Sequence, residues 1–298
     1  MLKPVVAGLD GSRESMAAAD WAAREALRRG LPLRLVQARE DPAAGDAEER
    51  RPELDAPRYQ ACQVLRRALD RINERYPRLY IAAEQVGTAP GPALLAEAER
   101  AELLVIGSQG LGAVGGLLTR SVATATVARA ACPVVLVRAG EKAEHEHLPD
   151  DAGRPVTHTV FRDVAVAVDV GDTCDDVLEF AFRAAELRRA PLRAMHAWHV
   201  PLGRGLIDVE ERVRIRRAAE RELSALVEPW QRKYPAVFVR EELHEGPPAH
   251  VLVRAARGAG LLVAGRRRRR AAIGSRTGQV AHALIHHVGC PVAIVPHD

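Results

Sequence analysis

Two kinds of segment alternate along the chain. Short runs of Val, Leu, Ile and Ala bounded by turn residues predict ten strands, and Ala-rich stretches with apolar residues three and four positions apart predict helices between them. The predicted strands are 4–9, 32–37, 80–86, 102–107, 133–138, 163–168, 191–197, 237–243, 261–265 and 291–295. The predicted helices are 14–29, 58–75, 91–100, 119–131, 175–189, 207–232, 247–258 and 277–288. This alternation, with strands apolar on both sides, predicts an α/β fold whose parallel sheet is covered by helices on both faces.

The pattern occurs twice. Gly107 precedes Cys132 by 25 residues, and Gly265 precedes Cys290 by the same interval. An apolar strand ending in aspartate stands 97 residues before the first of these glycines and 96 residues before the second. A period of this length indicates two copies of one domain rather than a solenoid of short repeats.

The stretch between the copies is polar and acidic and contains Gly and Pro, which is typical of a linker. We therefore predict a first domain over 1–139, a linker over 140–161 and a second domain over 162–298. Each domain is expected to form a five-stranded parallel sheet sandwiched by helices.

Composition narrows the class of protein. Hydrophobic residues make up 47% of the chain and charged residues 28%, which is globular rather than disordered composition. No apolar run reaches the ~18–20 residues of a membrane span, and the N-terminal segment lacks the apolar core and cleavage site of a signal peptide. A cytoplasmic protein without a membrane partner is expected. Four cysteines without a C-x-x-C pair argue against a disulfide scaffold and a zinc ribbon.

A ligand site is expected beyond the carboxyl ends of the strands, where the strand order of an open parallel sheet reverses. Three segments of the first copy would meet there. They are Gly8 to Ser12 after the first strand, Gln37-Ala38 after the second, and a Gly-rich loop from Gly107 to Gly112 that continues to Arg120-Ser121-Val122. Asp10 could accept bonds from a ribose hydroxyl, Ser12 could cap the next helix, and the glycines would let backbone approach phosphate.

Two nucleotide motifs can be weighed against this loop. Residues 110–115 match G-x-G-x-x-G, but they follow a late strand, and the next strand does not end in the acidic residue that a dinucleotide site requires. The Walker pattern G-x-x-x-x-G-K-[ST] does not occur in the sequence, so a P-loop is excluded.

Taken together, these motifs resemble the universal stress protein family. LDGS follows the first strand, GSQG follows the fourth, and after nine residues Arg120-Ser121 leads toward the CPVVLV strand. The family pattern is G-x2-G-x9-G-[ST] between the fourth strand and the fourth helix. The resemblance covers residues 3–138 and 162–297, as a tandem pair similar to the actinobacterial members. It implies flavodoxin-like or adenine-nucleotide α-hydrolase-like domains.

The resemblance also implies the residues of an ATP site in the first copy. Asp10, together with Gly8, would serve the ribose or phosphates, and Ala38 would lie near adenine. The base, ribose and phosphates would be surrounded by Ile106, Gly107, Gln109 and Gly110, and closed over by Ser121 and Val122. One position departs from the family, because Arg120 stands in place of the last motif glycine. Its side chain would either crowd the phosphates or clamp them.

The second copy departs further and is expected to hold a degenerate site. It keeps Asp169, Gly265 and Gly278, whereas Arg268 replaces the middle glycine and Gln279 the hydroxyl residue. Five consecutive arginines, 266–270, form its loop. They are interpreted as a solvated basic loop, an altered anion or nucleotide site, or a nucleic-acid patch. The absence of interleaved aromatic residues disfavours nucleic acid.

The histidine pairs have the spacing of metal ligands, His282 with His286 and His196 with His199. Neither pair has an acidic residue between its members or an obvious third ligand, so structural roles are favoured and no metal site is predicted. His196 belongs to the HAW segment, whose place in the second copy is that of Gln37-Ala38, where it would face the crevice.

The leading functional hypothesis is an ATP-binding regulatory protein of the universal stress response. ATP, alone or with Mg²⁺, would be held mainly by the first domain, and a homodimer and an unidentified protein partner are expected. Paired carboxylates or a nucleophile–base motif are not found near the loop, so slow ATP hydrolysis is the most activity expected. The alternatives are a stress protein scaffold that does not bind ATP and an enzyme of the related adenine-nucleotide hydrolase superfamily.

Overall fold

Ten strands and eight α-helices alternate along the residues that the computed structural model describes, which are 2–39, 55–109, 122–172, 174–200, 209–268 and 278–298. The chain divides into two units, residues 1–142 and 143–298. None of the helices within the described ranges combines the length and apolar character that a membrane crossing requires.

The first unit is a helix-covered parallel sheet. Its elements are β1 (Val5–Leu9), α1 (Arg13–Arg29), β2 (Leu33–Ala38), α2 (Asp55–Arg75), β3 (Ile81–Val86), α3 (Pro90–Ala98), β4 (Leu103–Ser108), α4 (Val122–Val127) and β5 (Val134–Arg138). The strand order is β3-β2-β1-β4-β5, with all neighbours parallel. The order therefore reverses between β1 and β4, which places the expected crevice beside these two strands.

The second unit repeats the plan after a short 3₁₀ turn at Ala143–Glu146. Its elements are β6 (Val164–Val168), α5 (Asp175–Arg188), β7 (Leu192–Trp198), α6 (Val209–Lys233), β8 (Val239–Glu245), α7 (Pro248–Ala255), β9 (Leu261–Arg267), α8 (Gln279–His287) and β10 (Val292–His297). The strand order is β10-β9-β6-β7-β8, again parallel throughout. The predicted fold class, two five-stranded parallel α/β domains, is confirmed.

The sequence overextends the fourth helix of the first unit. It predicts a helix over 119–131, whereas α4 ends at Val127 and a turn follows, with the Ala130 N–H donating to the Thr126 carbonyl. The chain must then enter Cys132-Pro133, and a residue before proline is pushed out of the helical region. The predicted start of this helix, 119–121, lies outside the described residues.

The stretch predicted as a linker, 140–161, makes contacts with the second unit from Ala143 onward. Glu146 is 2% exposed, and its carbonyl accepts the Arg162 N–H. His147 forms a bridge with Phe161, and the two rings lie 4.0 Å apart. The boundaries at 139 and 162 stay predictions.

Helix α1 shows how the sequence builds a tight sandwich. Its inner face is almost entirely alanine, buried at positions 18, 19, 22, 23 and 26, which lets the helix lie close to the sheet around the buried Trp21. Ser12 caps the start by accepting the Ser15 N–H at 3.1 Å. Gly30 ends the helix in the left-handed conformation, with its N–H on the Ala26 and Leu27 carbonyls.

In both units, an arginine on the second strand forms an ion pair with a glutamate on the edge strand. Arg34 of β2 donates to Glu97 at 2.9 Å and to Glu84 of β3 at 2.5 Å. Arg193 of β7 donates to Glu242 of β8 at 2.7 and 2.9 Å, and to the Ala255 carbonyl. The same tie therefore links second strand, edge strand and third helix in each copy.

In each unit, a tyrosine just after the second helix donates a hydrogen bond to a carboxylate on the first helix. Tyr76 donates to Asp20 at 3.2 Å in the first, and Tyr234 donates to Glu179 at 2.6 Å in the second. Burial, followed by the bond to Glu179, raises the pKa of Tyr234 from its ordinary value of 10.0 to about 12. The ionised phenol is thus disfavoured in the folded unit.

Tyr234→Phe is expected to remove this alkaline sensitivity. A group whose pKa is raised by folding stabilises fully below its unfolded pKa and loses that contribution as pH rises through the folded value. The variant should therefore lose about 1 kcal/mol at pH 8, the net worth of one hydrogen bond, and the gap to wild type should shrink between pH 10 and 12. Urea unfolding of both proteins across this range is the measurement. Tyr80→Phe, at a side chain 75% exposed, is the control and should match wild type throughout. A constant gap across the range would contradict the expectation.

Candidate functional site

The turn after β1 presents Asp10 at the carboxyl edge of the first sheet. The Asp10 carboxylate accepts the Ser12 N–H at 2.9 Å. Gly11 between them has φ 84°, and a Cβ there would lie 2.9 Å from Cγ2 of Val64, so glycine is required for both conformation and space. The turn thereby holds an exposed carboxylate in a fixed direction.

Asp10 is charged at any ordinary pH. Burial alone would raise the pKa of this carboxyl, but hydrogen bonds from Ser12 and Ser15 to the charged form outweigh burial and hold its pKa below the usual value. The site therefore offers a permanent hydrogen-bond acceptor, which suits a hydroxyl donor.

At Gly107, near the end of β4, the sheet lies directly against the first turn of α1. A Cβ at this position would lie 2.7 Å from the backbone carbon of Glu14 and 2.7 Å from the backbone nitrogen of Ser15. Real side chains do not tolerate such distances to backbone atoms, so only glycine brings β4 and the first turn of α1 together. Asp10 and Gly107 therefore lie at the same corner of the unit, as the sequence predicts.

The remaining predicted residues of the first site divide by position. Ile106 is 4% exposed and contacts the space over Gly8, where a Cβ would meet it at 3.2 Å. Ala38 is half-buried at the end of β2, and Gln109 and Val122 are exposed. Gly110, Arg120 and Ser121 lie outside the described residues.

Gln37, which the sequence places beside the expected ligand site, carries a buried amide oxygen. It is 7% exposed at the end of β2, and its Oε1 accepts no hydrogen bond from the part of the chain that the structure describes. Buried acceptors are rarely left unsatisfied. The sequence predicts the position of Gln37, but neither spacing nor residue type shows that its amide oxygen is buried.

The second unit holds a cavity of about 750 Å³ at the carboxyl ends of its strands. This volume falls in the range of small-molecule sites, roughly 300–1,000 Å³. Its walls come from the loop after β6, the ends of β7, β9 and β10, and one face of α6, with α7 and the start of α8 completing them. Its apolar residues include Val168, Ala197, Trp198, Ile215, Leu252 and Ala264.

The polar end of this cavity is an ion-paired cluster. Arg267 donates to Asp172 at 2.5 Å, and Nε2 of His297 lies 4.0 Å from the same carboxylate. A Cβ at Gly265 would lie 2.7 Å from Nε2 of His297. Gly265 thus makes room for the His297 ring, whereas its counterpart Gly107 makes room for the backbone of α1.

The residues predicted for a degenerate second site are largely brought together. Asp169, Gly265, Gly278 and Gln279 line the cavity, and the Asp169 Oδ1 accepts the Gly171 N–H at 3.1 Å. Arg268 is at the end of β9, 3.9 Å from Asp298. Residues 269 and 270 of the arginine run lie outside the described residues.

Asp172, Trp198 and His297 are among the cavity residues that sequence reasoning misses. Asp172 and His297 carry no motif, and they meet only because the loop after β6 folds toward the end of β10. Trp198 belongs to the HAW segment and could have been found there. Its place in the first copy, directly after the matching alanine, is taken by Arg39.

The histidine pairs take different places. His196 and His199 line the cavity, whereas the rings of His282 and His286 pack in a tilted arrangement on α8, with their centroids 4.4 Å apart. Within the described ranges, no three metal-ligating side chains come together. Cys174 also lines the cavity, and burial, with the neighbouring aspartates, raises the pKa of its thiol to about 12. That thiol is therefore protonated and unreactive.

Two parallel α/β sheets of identical strand order, each with acidic and glycine residues at the strand-reversal corner, define a tandem protein of the doubly wound class. The sequence model of the Universal stress protein family matches residues 1–138 and 161–296. The chain belongs to this family, as a tandem of two of its domains, and the predicted resemblance is confirmed.

Individual relatives agree with this assignment. A universal stress protein of Mycobacterium tuberculosis is 29% identical over 303 residues, which cover 97% of this chain and 96% of that protein. A second from the same organism is 33% identical over 264 residues, 88% of each. The crystal structure of a universal stress protein from Archaeoglobus fulgidus covers 99% of this chain and 96% of its own, with a TM-score of 0.65 at 14% identity, a likeness of fold.

Proposed function

We propose that this chain is an ATP-binding regulatory protein of the universal stress response and that its first unit holds the nucleotide. The observation that supports this most is the corner formed by Asp10 and Gly107. There, the charged Asp10 carboxylate lies beside Gly107, where only glycine lets β4 pack against the backbone of α1. The family resemblance implies that ribose and phosphates would bind at such a corner.

The roles of the residues follow from their chemistry. Asp10 accepts hydrogen bonds from ribose hydroxyls, Ile106 and Ala38 provide apolar surface for the base, and Gly110 and Ser121 receive the phosphates. Mg²⁺, if bound, would neutralise phosphate charge. The nucleotide is bound and released rather than consumed, and it is hydrolysed slowly at most. The protein therefore acts through its nucleotide-bound and nucleotide-free states and through a protein partner.

We assign ATP to the first unit because the second copy has lost two of the motif residues expected to bind phosphate. Gly110 and Ser121 have as counterparts Arg268 and Gln279, which replace a flexible glycine and a hydroxyl with bulkier side chains. The second candidate function, a scaffold that binds no ATP, is favoured by two features: Arg120 in place of the last motif glycine, and the arginine run 266–270.

Nucleotide content is the direct test. The purified protein is denatured and released nucleotide is identified by chromatography, and the stripped protein is titrated with ATP in a calorimeter. We expect one ATP per chain in wild type and none in Gly110→Val. No nucleotide and no heat of binding would establish the scaffold instead, and Arg120→Gly would then be the first variant to restore binding.

Asp10→Asn is expected to weaken ATP binding about tenfold, equivalent to ~1.4 kcal/mol. The amide keeps the shape of the side chain but loses the charged acceptor, and bonds to charged groups are the stronger ones. Calorimetry with ATP measures the change. The matched control is Asp169→Asn in the second unit, which should leave ATP stoichiometry and affinity unaltered. A halved stoichiometry in that control would place ATP in both units.

A further inference from the structure

Two histidines lie side by side on α8 in the second unit. His282 and His286 are four residues apart, and their ring centroids are 4.4 Å apart, with the ring planes tilted by 51°. His282 is exposed and His286 is half-buried. The sequence favours a structural role for both, but an exposed side chain contributes little to the packing of a core. The structural role therefore leaves His282 unexplained.

Packing against the rest of the unit fixes the helix that carries the pair. Ala281, Leu284 and Ile285 are buried along one face of α8. The Val288 N–H donates to the Leu284 carbonyl at 3.1 Å, so the last turn of the helix stays closed around His286. Side chains four residues apart on a helix lie on the same side, with Cβ atoms about 5–6 Å apart. The backbone therefore presents the two imidazoles together.

The spacing of the two rings suits a shared metal ion. A zinc ion binds histidine nitrogen at about 2.0–2.1 Å, and at a tetrahedral angle the centroids of two ligating rings lie roughly 5 Å apart. The centroids of the His282 and His286 rings are 4.4 Å apart, which is within about 1 Å of that distance. Side-chain rotation alone is therefore enough to bring one nitrogen of each ring onto the same ion.

The pair supplies two of the four ligands that zinc takes. No third histidine, cysteine or carboxylate joins the pair among the residues that the structure describes. Structural zinc sites have four protein ligands, whereas open sites keep water in the remaining positions. Imidazole also selects the ion, because it suits Zn²⁺, Cu²⁺ and Ni²⁺, while Mg²⁺ prefers oxygen ligands. The ligand set is therefore that of an exchangeable transition-metal site.

We propose that His282 and His286 form a surface site for a divalent transition-metal ion, held by one nitrogen of each ring and completed by water. Neither histidine is among the residues that line the cavity of the second unit. Because the ion binds the folded helix and bridges two of its turns, it stabilises α8 as the concentration of free ion rises. The proposal does not depend on nucleotide binding by either unit.

Zinc binding is best measured at each histidine separately. Labelling the full chain with histidine that carries ¹³C at Cε1 gives one cross-peak for each of the eleven histidines, assigned through single His→Gln variants. Zn²⁺ is then titrated into the nucleotide-free protein, and the shift of each cross-peak is followed. This readout separates the pair on α8 from histidines elsewhere in the chain that also bind Zn²⁺.

We expect the His282 and His286 cross-peaks to shift together, with one shared affinity, and Mg²⁺ to shift neither. His282→Gln should weaken Zn²⁺ binding at His286 about tenfold or more, because the second imidazole of a chelating pair binds intramolecularly. His286→Gln should have the same effect at His282. His287→Gln is the matched control, because this exposed histidine lies on the same helix and undergoes the same residue change. It should alter the affinity of the pair less than about twofold.

Four results would each overturn the proposal. They are no shift of either cross-peak at millimolar Zn²⁺, equal shifts with Mg²⁺, separate affinities for the two histidines, and an unchanged affinity at His286 in His282→Gln. Because His282 is exposed, its variant should keep the fold, and unchanged cross-peaks of the buried His196 and His297 verify this. Failure of ATP binding in the first unit would leave the zinc titration unaltered, so the two proposals fail separately.

Discussion

Gly107→Val is expected to destabilise the first unit by about 3 kcal/mol and to abolish its nucleotide binding. Added carbons in a filled space usually cost ~1–3 kcal/mol, and the upper end applies where neighbours cannot rotate away. Here the obstructing atoms are the backbone carbon of Glu14 and the backbone nitrogen of Ser15, both 2.7 Å from the added Cβ. The helix start must move, and with it the turn that presents Asp10.

The measurement is urea unfolding of the variant together with ATP calorimetry. Gly289→Val is the matched control, because no atom lies within 4 Å of a Cβ at that exposed position. It should bind ATP like wild type and stay within about ±0.5 kcal/mol of wild-type stability. Gly265→Ala in the second unit should cost less than Gly107→Val, since its obstructing neighbour is the His297 side chain. Wild-type stability in Gly107→Val would refute the packing argument.

Phe182→Ala should destabilise the second unit by roughly 3–5 kcal/mol, the usual cost of truncating a buried aromatic. Phe182 is 0% exposed and stacks on Tyr234 and Trp230, with ring centroids 5.6 and 6.2 Å away. These rings join α5 to the end of α6, so the void would lie between two helices that cannot close it without tilting.

Hydrogen exchange of second-unit peptides, read with urea unfolding, measures this loss. Phe238→Ala is the control, because Phe238 is 64% exposed and its truncation should stay within ±0.5 kcal/mol. The first unit should keep its ATP affinity in both variants. A loss below 1 kcal/mol for Phe182→Ala would mean that the aromatic cluster is not part of the cooperative core.

The fold was accessible from the sequence because its signals are local and repeated. Near-continuous apolar runs such as LLVIG identify buried parallel strands, and two copies with matching intervals allow each assignment to be checked against its counterpart. The predicted C-terminal end of α4, at residue 131, was wrong, and the reason is again local. Ala128-Arg129-Ala130-Ala131 continues a helical pattern past Val127, and the turn toward Pro133 overrides it.

The candidate site was only partly accessible. Asp10 and Gly107 carry a motif, and the structure places them at one corner. The position of a second site was predicted from Asp169, Gly265, Gly278 and Gln279, which line the cavity of the second unit, but the size and the aromatic wall of that cavity were not. Contacts such as Arg267 with Asp172 join residues 95 positions apart and depend on loop paths that no spacing encodes.

The contact between Gly107 and the first turn of α1 also constrains how the first unit can move. At this distance, the backbones of α1 and β4 leave no space for the helix to slide along the strand. Helix α1 and β4 must therefore tilt together as one rigid body. Helix α1 has 17 residues and spans about 25 Å. A tilt of about 5° at Asp10 would therefore displace Gly30 by ~2 Å. The contact at Gly107 therefore carries any shift of the Asp10 turn along α1 to Gly30 at the other end of the helix.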